Sequence, residues 1–213
     1  MVSALLIADL HGQYEKLDSF LNLNYDMVII SGDITHFGPK EQALMVTSLI
    51  DVPCFVVPGN CDPRDILEVF EDSSAVSLHG SALTLGKLSL VGLGGSNPGP
   101  FQCPFVLTEV EIDEILSNAI SVMDRNMYNV LVSHAPPKGT LDYINNQHVG
   151  SASIAKHMKS FDLICCAHIH EERGCVDVKG VKVVNPGTAS NGHCALIHFN
   201  ESEKNIQVEL KTV

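Results

Sequence analysis

Seven side chains able to bind a divalent cation stand just after short apolar runs in this chain. "LLIADLHG" supplies Asp9 and His11, "VIISGD" Asp33, "FVVPGNCD" Asn60, "VLVSHAPP" His134, and "LICCAHIH" both His168 and His170. Carboxylate, imidazole and amide donors suit metal-assisted hydrolysis, with water and substrate filling the remaining coordination positions. Each residue also has a plain structural use. An aspartate after a strand commonly caps the next helix, an asparagine after glycine turns the chain, and a lone histidine is commonly a satisfied buried imidazole. Repetition separates the two accounts, because five independent strand ends carry such residues. In an open α/β sheet these ends face one crevice, where residues distant in sequence converge.

The elements that must position them can be read from periodicity. Branched apolar runs at Val2–Ala8, Met27–Ile30, Cys54–Val57, Leu88–Leu93, Asn129–Val132, Leu163–Cys166, Lys182–Val184 and Cys194–Phe199 predict strands. Helical spacing predicts helices over Gln13–Leu23, Lys40–Ile50, Asp65–Phe70, Glu109–Met123 and Ser153–Lys159. The early alternation of strand and helix gives an α/β fold with largely parallel pairing, and strands dominate after about residue 160. In the fourth helix Ile112, Ile115, Leu116 and Ala119 make an apolar face, which packs on a sheet or serves a contact between copies of the chain in a homo-oligomer. The turn-rich "GLGGSNPGP" at 92–100 is expected as a surface loop inside one domain, so residues 1–213 are taken as a single domain.

Composition narrows the partners. With 13 basic against 25 acidic residues the chain carries −12, a field that repels duplex nucleic acid and argues against binding it through a basic face. A small anionic substrate stays compatible, because a bound cation inverts the local sign. Seven cysteines without framework spacing, and a start lacking a basic leader, point to reduced thiols in the cytoplasm. No run is long enough to span a membrane.

The motifs "DLHG" (9–12), "GD" (32–33), "GNCD" (59–62), "SH" (133–134) and "AHIH" (167–170), in that order, resemble those of the calcineurin-like metallophosphoesterases. Segments "GDITHFG" and "SHAPPKGTLD" are similar to those of small microbial members. The resemblance implies a four-layer sandwich of two mixed β-sheets flanked by α-helices. It implies that Asp9, His11 and His170 hold one metal ion, that Asn60, His134 and His168 hold the other, and that Asp33 bridges both. Two such ions sit roughly 3.5–4 Å apart, and a hydroxide between them attacks the phosphoryl group. The expected activity is hydrolysis of a small phosphoester, a phosphodiester before a monoester. Mn²⁺ is the expected ion, with Fe²⁺, Zn²⁺ and Ni²⁺ as alternatives. A non-catalytic protein-assembly scaffold of the same fold is the rival. A closed zinc clamp is disfavoured, since no second Cys-x-x-Cys-like element accompanies Cys165 and Cys166, which suit a strand interior.

Two positions depart from the family pattern. Cys61 stands where a histidine that assists the leaving group is usual, and a thiol with an ordinary pKa of about 8.5 is a weaker proton shuttle. His36 is then the first substitute donor and His148 the second. Ala167 replaces a glycine before the His-x-His pair, which requires a negative φ there. Arg64 and Arg173 could contact phosphate, although surface salt bridges are the commoner use. Gly187 and His193, within "NPGTASNGH", could approach the metals.

Overall fold

The computed structural model describes residues 1–125, 128–200 and 202–213. In its first half β1 (Val2–Ile7), α1 (Leu17–Leu21), β2 (Met27–Ser31), α2 (Glu41–Ser48), β3 (Cys54–Val57), α3 (Ile66–Glu71), β4 (Ala75–Ser77), β5 (Ala82–Leu85) and β6 (Leu88–Leu93) follow one another. Then come α4 (Glu109–Ser121), β7 (Tyr128–Ser133), β8 (Tyr143–Ile144), β9 (Gln147–His148), α5 (Ala152–His157) and β10 (Leu163–Cys165). The chain closes with β11 (Gly174–Val178), β12 (Val181–Asn185), β13 (His193–Asn200) and β14 (Asn205–Thr212).

The strands form two mixed six-stranded sheets, ordered β14-β13-β1-β2-β3-β4 and β11-β12-β10-β7-β6-β5, beside a β8-β9 hairpin. β1 to β4 pair in parallel, in steps such as Leu6↔Ile29 and Ile29↔Phe55, whereas β13 returns antiparallel beside β1. In the second sheet β6, β7, β10 and β12 are parallel and the outer β5 and β11 antiparallel.

The period of two along each strand sorts side chains between layers. Ala4 and Leu6 of β1 point between the sheets, against a core that includes Leu90, Val130 and Val132. Leu5 and Ile7 point the other way, into the layer of Leu17, Phe20, Val46 and Phe70 from α1 to α3. On the far side Val91, Leu131 and Ile164 meet Ile112, Leu116 and Ala119 of α4 and Ile154 of α5. The result is helix, sheet, sheet, helix. Leu6 and Val130 are fully buried, and truncating a core residue such as Leu6 to alanine costs about 2–5 kcal/mol. The apolar face of α4 thus packs on its sheet, with Ile115 only partly buried.

α4 also carries its own start signal. The Thr108 hydroxyl accepts from the Glu111 amide and the Glu111 carboxylate accepts from the Thr108 amide, a reciprocal cap that satisfies two otherwise orphaned donors. The first predicted helix is shorter than its spacing suggests, because residues 13–16 are used in turns that let the Tyr14 hydroxyl reach the Ile34 carbonyl and Gln42. The stretch 92–100 is only partly a surface loop: Gly94 to Ser96 are buried, the Gly95 amide donating to the Pro58 carbonyl. Among the described residues no helix is long and apolar enough to cross a membrane.

Candidate metal centre

The loops after β1, β2, β3, β7 and β10 meet over the joint between the sheets. The backbone binds them first. Amides of Asp9 and His11 donate to the carbonyls of Gly32 and Asp33, and the Ala167 amide donates to the His134 carbonyl. Neither Asp9 nor Asp33 caps a helix, since Lys16 and Lys40 precede α1 and α2.

Asp33 lies at the middle of the cluster. Its Oδ2 is 3.6 Å from His11 Nε2 and 3.4 Å from His134 Nε2, while its Oδ1 accepts from the Cys61 amide at 2.8 Å. On one flank Asp9 Oδ1 is 3.6 Å from His170 Nε2, and the Nε2 atoms of His11 and His170 stand 3.2 Å apart. On the other flank His134 Nε2 is 2.8 Å from Asn60 Oδ1, and the His168 ring meets His134 edge-on at 5.0 Å between centroids. Donor atoms of Asp9, His11 and His170 lie within 4.8 Å of one another, as do those of Asp9, Asp33 and His134, and those of His11, Asp33 and Cys61.

This donor set fits divalent cations on three counts. Asp9 Oδ1 is buried without a hydrogen-bond partner, a costly state for a carboxylate oxygen with no cation beside it. The Nε2 atoms of His11 and His170 converge on each other and on the carboxylate oxygens of Asp33 and Asp9. His134 Nδ1 is 2.9 Å from the Ser31 carbonyl, and an N–H donated there leaves Nε2 as the lone-pair atom, the arrangement that orients metal-binding histidines.

Electrostatics repeat the pattern. Burial would raise the Asp33 pKa, but the His134 and His11 rings and the Cys61 amide outweigh it and hold the carboxyl below its ordinary range. His134 is raised despite burial, chiefly by Asp33. Burial, reinforced by His134, pushes His168 down to about 4. His170 is raised by the Asp9 carboxylate beside it, whereas His11 is lowered by burial.

The backbone is strained where this set is held. Asp9 (φ 55°), His11 (φ 48°), Asp33 (φ 51°) and His168 (φ 71°) occupy the left-handed region, which costs a non-glycine residue about 1–2 kcal/mol. Ala167, by contrast, has no positive φ, so its methyl group is accommodated. Gly59 is required for space: a Cβ there would overlap the Asp33 carboxylate.

Asp62 is a residue whose role the sequence leaves unassigned although it closes the "GNCD" motif. It is fully buried and accepts from the amides of Ile34, Thr35 and Gly59 and from the Thr35 hydroxyl, tying the loops after β2 and β3 together. Burial and Asp33 push its pKa up to about 6 against the pull of those bonds. Cys103 carries no sequence signal at all. Its Sγ lies 3.1 Å from Asn60 Nδ2, with Cys61 Sγ at 3.4 Å, and the two sulfurs turn the amide so that its oxygen faces His134.

Other predicted residues fall around the rim. His36 is exposed, its ring 5.6 Å from that of His11, in a groove also lined by His170 and Thr188. His148 faces a separate cavity and is paired with Asp142 at 2.6 Å. In the 185–193 segment it is Thr188, Ser190 and Asn191, rather than Gly187 and His193, that line the groove with His11. Both arginines are spent on backbone carbonyls rather than on salt bridges: Arg64 on Pro104 and Val106, Arg173 on Pro186 and Lys211.

The chain is similar to known proteins in sequence and in fold. The family model for calcineurin-like phosphoesterases matches residues 2–172. An uncharacterised protein of Methanocaldococcus jannaschii is 36% identical over 198 residues, 86% of this chain and 87% of that protein. A probable glycerophosphodiester phosphodiesterase of Arcobacter nitrofigilis is 24% identical over 160 residues, 68% of this chain and 56% of that protein. The crystal structure of a dimetal phosphatase from Danio rerio shares the fold at TM-score 0.68 and 11% identity, covering 99% of this chain and 96% of that one.

Proposed function

The chain belongs to the calcineurin-like phosphoesterase family, and on that premise we propose that it hydrolyses phosphodiesters at a pair of divalent cations, Mn²⁺ first among them. The position of Asp33 carries this reading. Its Oδ2 faces an imidazole nitrogen on either side, so one carboxylate serves two adjoining donor groups. Asp9, His11 and His170 would hold one cation, Asn60, His134 and His168 the other, and Asp33 both. Such a pair, when bound, supplies Lewis-acid polarisation of phosphoryl oxygens and acidifies water. Similarity to a probable glycerophosphodiester phosphodiesterase supports diester over monoester substrates.

The chain's own groups prepare that chemistry. The Ser31 carbonyl sets the His134 tautomer, the Cys61 amide holds Asp33 Oδ1 so that Oδ2 faces inward, and the two sulfurs orient Asn60. Leaving-group protonation we assign to His36, whose exposed ring borders the groove beside His11. Cys61 is the poorer donor, because burial and Asp33 raise its thiol pKa and so weaken it as an acid. Its part is to position Asn60.

Residues 1–213 act here as one domain, a view supported by β13, which pairs with β1 and so joins the C-terminal segment to the first sheet. The free thiols of all seven cysteines support a reducing, cytoplasmic setting. The direct test is hydrolysis of bis(p-nitrophenyl) phosphate with added Mn²⁺, expected in the native protein and lost in Asp33→Asn. No hydrolysis by Mn²⁺-loaded protein, across a panel of diesters and monoesters, overturns the proposal in favour of a scaffold.

A further inference from the structure

Beside the centre lies a cavity of about 710 Å³, the size of a small-molecule site, with His168 in its wall. Two segments enclose it, the turn at 97–101 and the β8-β9 hairpin, joined where Asn97 Nδ2 donates to the Val149 carbonyl at 3.0 Å. The hairpin is anchored by buried Asp142, whose Oδ2 accepts from the amides of Gly139 and Gly150 and whose Oδ1 meets His148. The walls are therefore fixed, and one end adjoins the half of the centre that contains His134.

The lining offers three unused kinds of contact. Phe101 is 80% exposed and has no ring partner among the described residues, so it presents a bare aromatic face. Asn145 and Gln147 have side-chain amides without hydrogen-bond partners among the described residues, each able to donate and accept. Lys138 has no carboxylate within ion-pair reach among the described residues, and the one carboxylate of the lining, Glu109, is taken up by the Ser151 hydroxyl and the amides of Ala152 and Ser153. Among the described residues Lys138 is thus the one lysine or arginine of the lining, free to meet an anion.

A planar ring with a hydrogen-bonding edge and an attached anion answers all three. Bases stack on aromatic side chains, and their edges pair with amides. An acyl chain would strand the amides, and a bare glycerol or sugar would leave Phe101 uncovered. We propose that this cavity seats the base of a nucleotide with its phosphate toward His168 and its remaining negative charge met by Lys138. The enzyme's substrates are then nucleoside phosphoesters, an assignment that rests on the phosphoesterase reading of the adjoining centre.

The sequence contains no tryptophan, so Phe101→Trp is a single-tryptophan reporter. Titrating Mn²⁺-loaded Phe101→Trp with adenosine 5′-monophosphate should give saturable quenching, and ribose 5-phosphate should bind at least about tenfold more weakly. Calorimetry on the native protein checks that the reporter has not created the site. There, Phe101→Ala and Lys138→Ala should each weaken the nucleotide about tenfold, and only Lys138→Ala should also weaken ribose 5-phosphate. Equal binding of the two phosphates, or loss of neither in the alanine variants, overturns the nucleotide cavity. Nucleotide binding without hydrolysis of any phosphoester would leave the cavity standing and sink the reaction. Hydrolysis of bis(p-nitrophenyl) phosphate without nucleotide binding would do the reverse.

Discussion

The two halves of the centre differ in how they meet solvent. His134 is fully buried, with Nδ1 engaged by the Ser31 carbonyl and Asn60 oriented behind it by two sulfurs. The side chains of His11 and His170 are 16% and 41% exposed and open onto a groove. One half is built as part of the core. The other combines buried Asp9 with two histidines that reach the groove, where water could replace a lost donor. Affinity and exchange should therefore divide along the same line, with the Asn60–His134–His168 half holding its cation longer under chelation and Asp33 linking the two.

Replacing the shared residue should erase the contrast. Asp33→Asn is expected to lower kcat/KM by roughly 10³-fold or more, since it weakens both half-sites at once. Metal analysis should find fewer than two Mn²⁺ per chain, and a normal content would contradict a shared role. Unequal ligands sharpen the comparison. His170→Ala should bind its cation roughly 100-fold more weakly yet recover activity at high Mn²⁺, whereas His134→Ala should not recover. Equal rescue of both variants would show that the two halves do not differ.

The metal-free protein offers a pH test of the buried half. His168 has a folded pKa of about 4 against 6.5 ordinarily, so below pH 6.5 the unfolded chain takes up a proton that the fold refuses. Its stabilising contribution is present above that value and is lost as pH falls toward about 4, amounting to ~2 kcal/mol by pH 5. Thermal melts after chelation, compared with His168→Gln, should show a shallower decline in the variant. The smallest effect is a control outside the centre. Thr108→Ala removes the α4 cap, should cost about 1 kcal/mol in melting experiments, and should leave Mn²⁺ content at both half-sites unchanged.

What could be read from the sequence was whatever repeated. Interior strands announced themselves by continuous apolar runs, and the polar residues at their ends are the ones the fold gathers into one cluster. The strands that escaped were the hairpin and β4, β5, β11 and β14, which are the four edges of the two sheets. An edge strand is half exposed and lacks the continuous apolar run of an interior strand; β14 instead alternates Ile206, Val208 and Leu210 with Gln207, Glu209 and Lys211, a period-two signal that apolar runs do not capture. Cys103 and the Asp62 knot were hidden for a different reason, because their meaning lies in partners 43 residues and 27 or 28 residues away. The arginines misled because a guanidinium satisfies a carbonyl as readily as a carboxylate or phosphate.

The left-handed backbone at Asp9, His11, Asp33 and His168 has an evolutionary consequence. Glycine adopts that conformation without a steric penalty, so mutation toward glycine at these four points would ease local strain while dismantling the donor set. A lineage released from this chemistry would find such changes among its easier gains in thermal robustness. In this chain bulky, polar side chains stand at all four points in spite of that local cost.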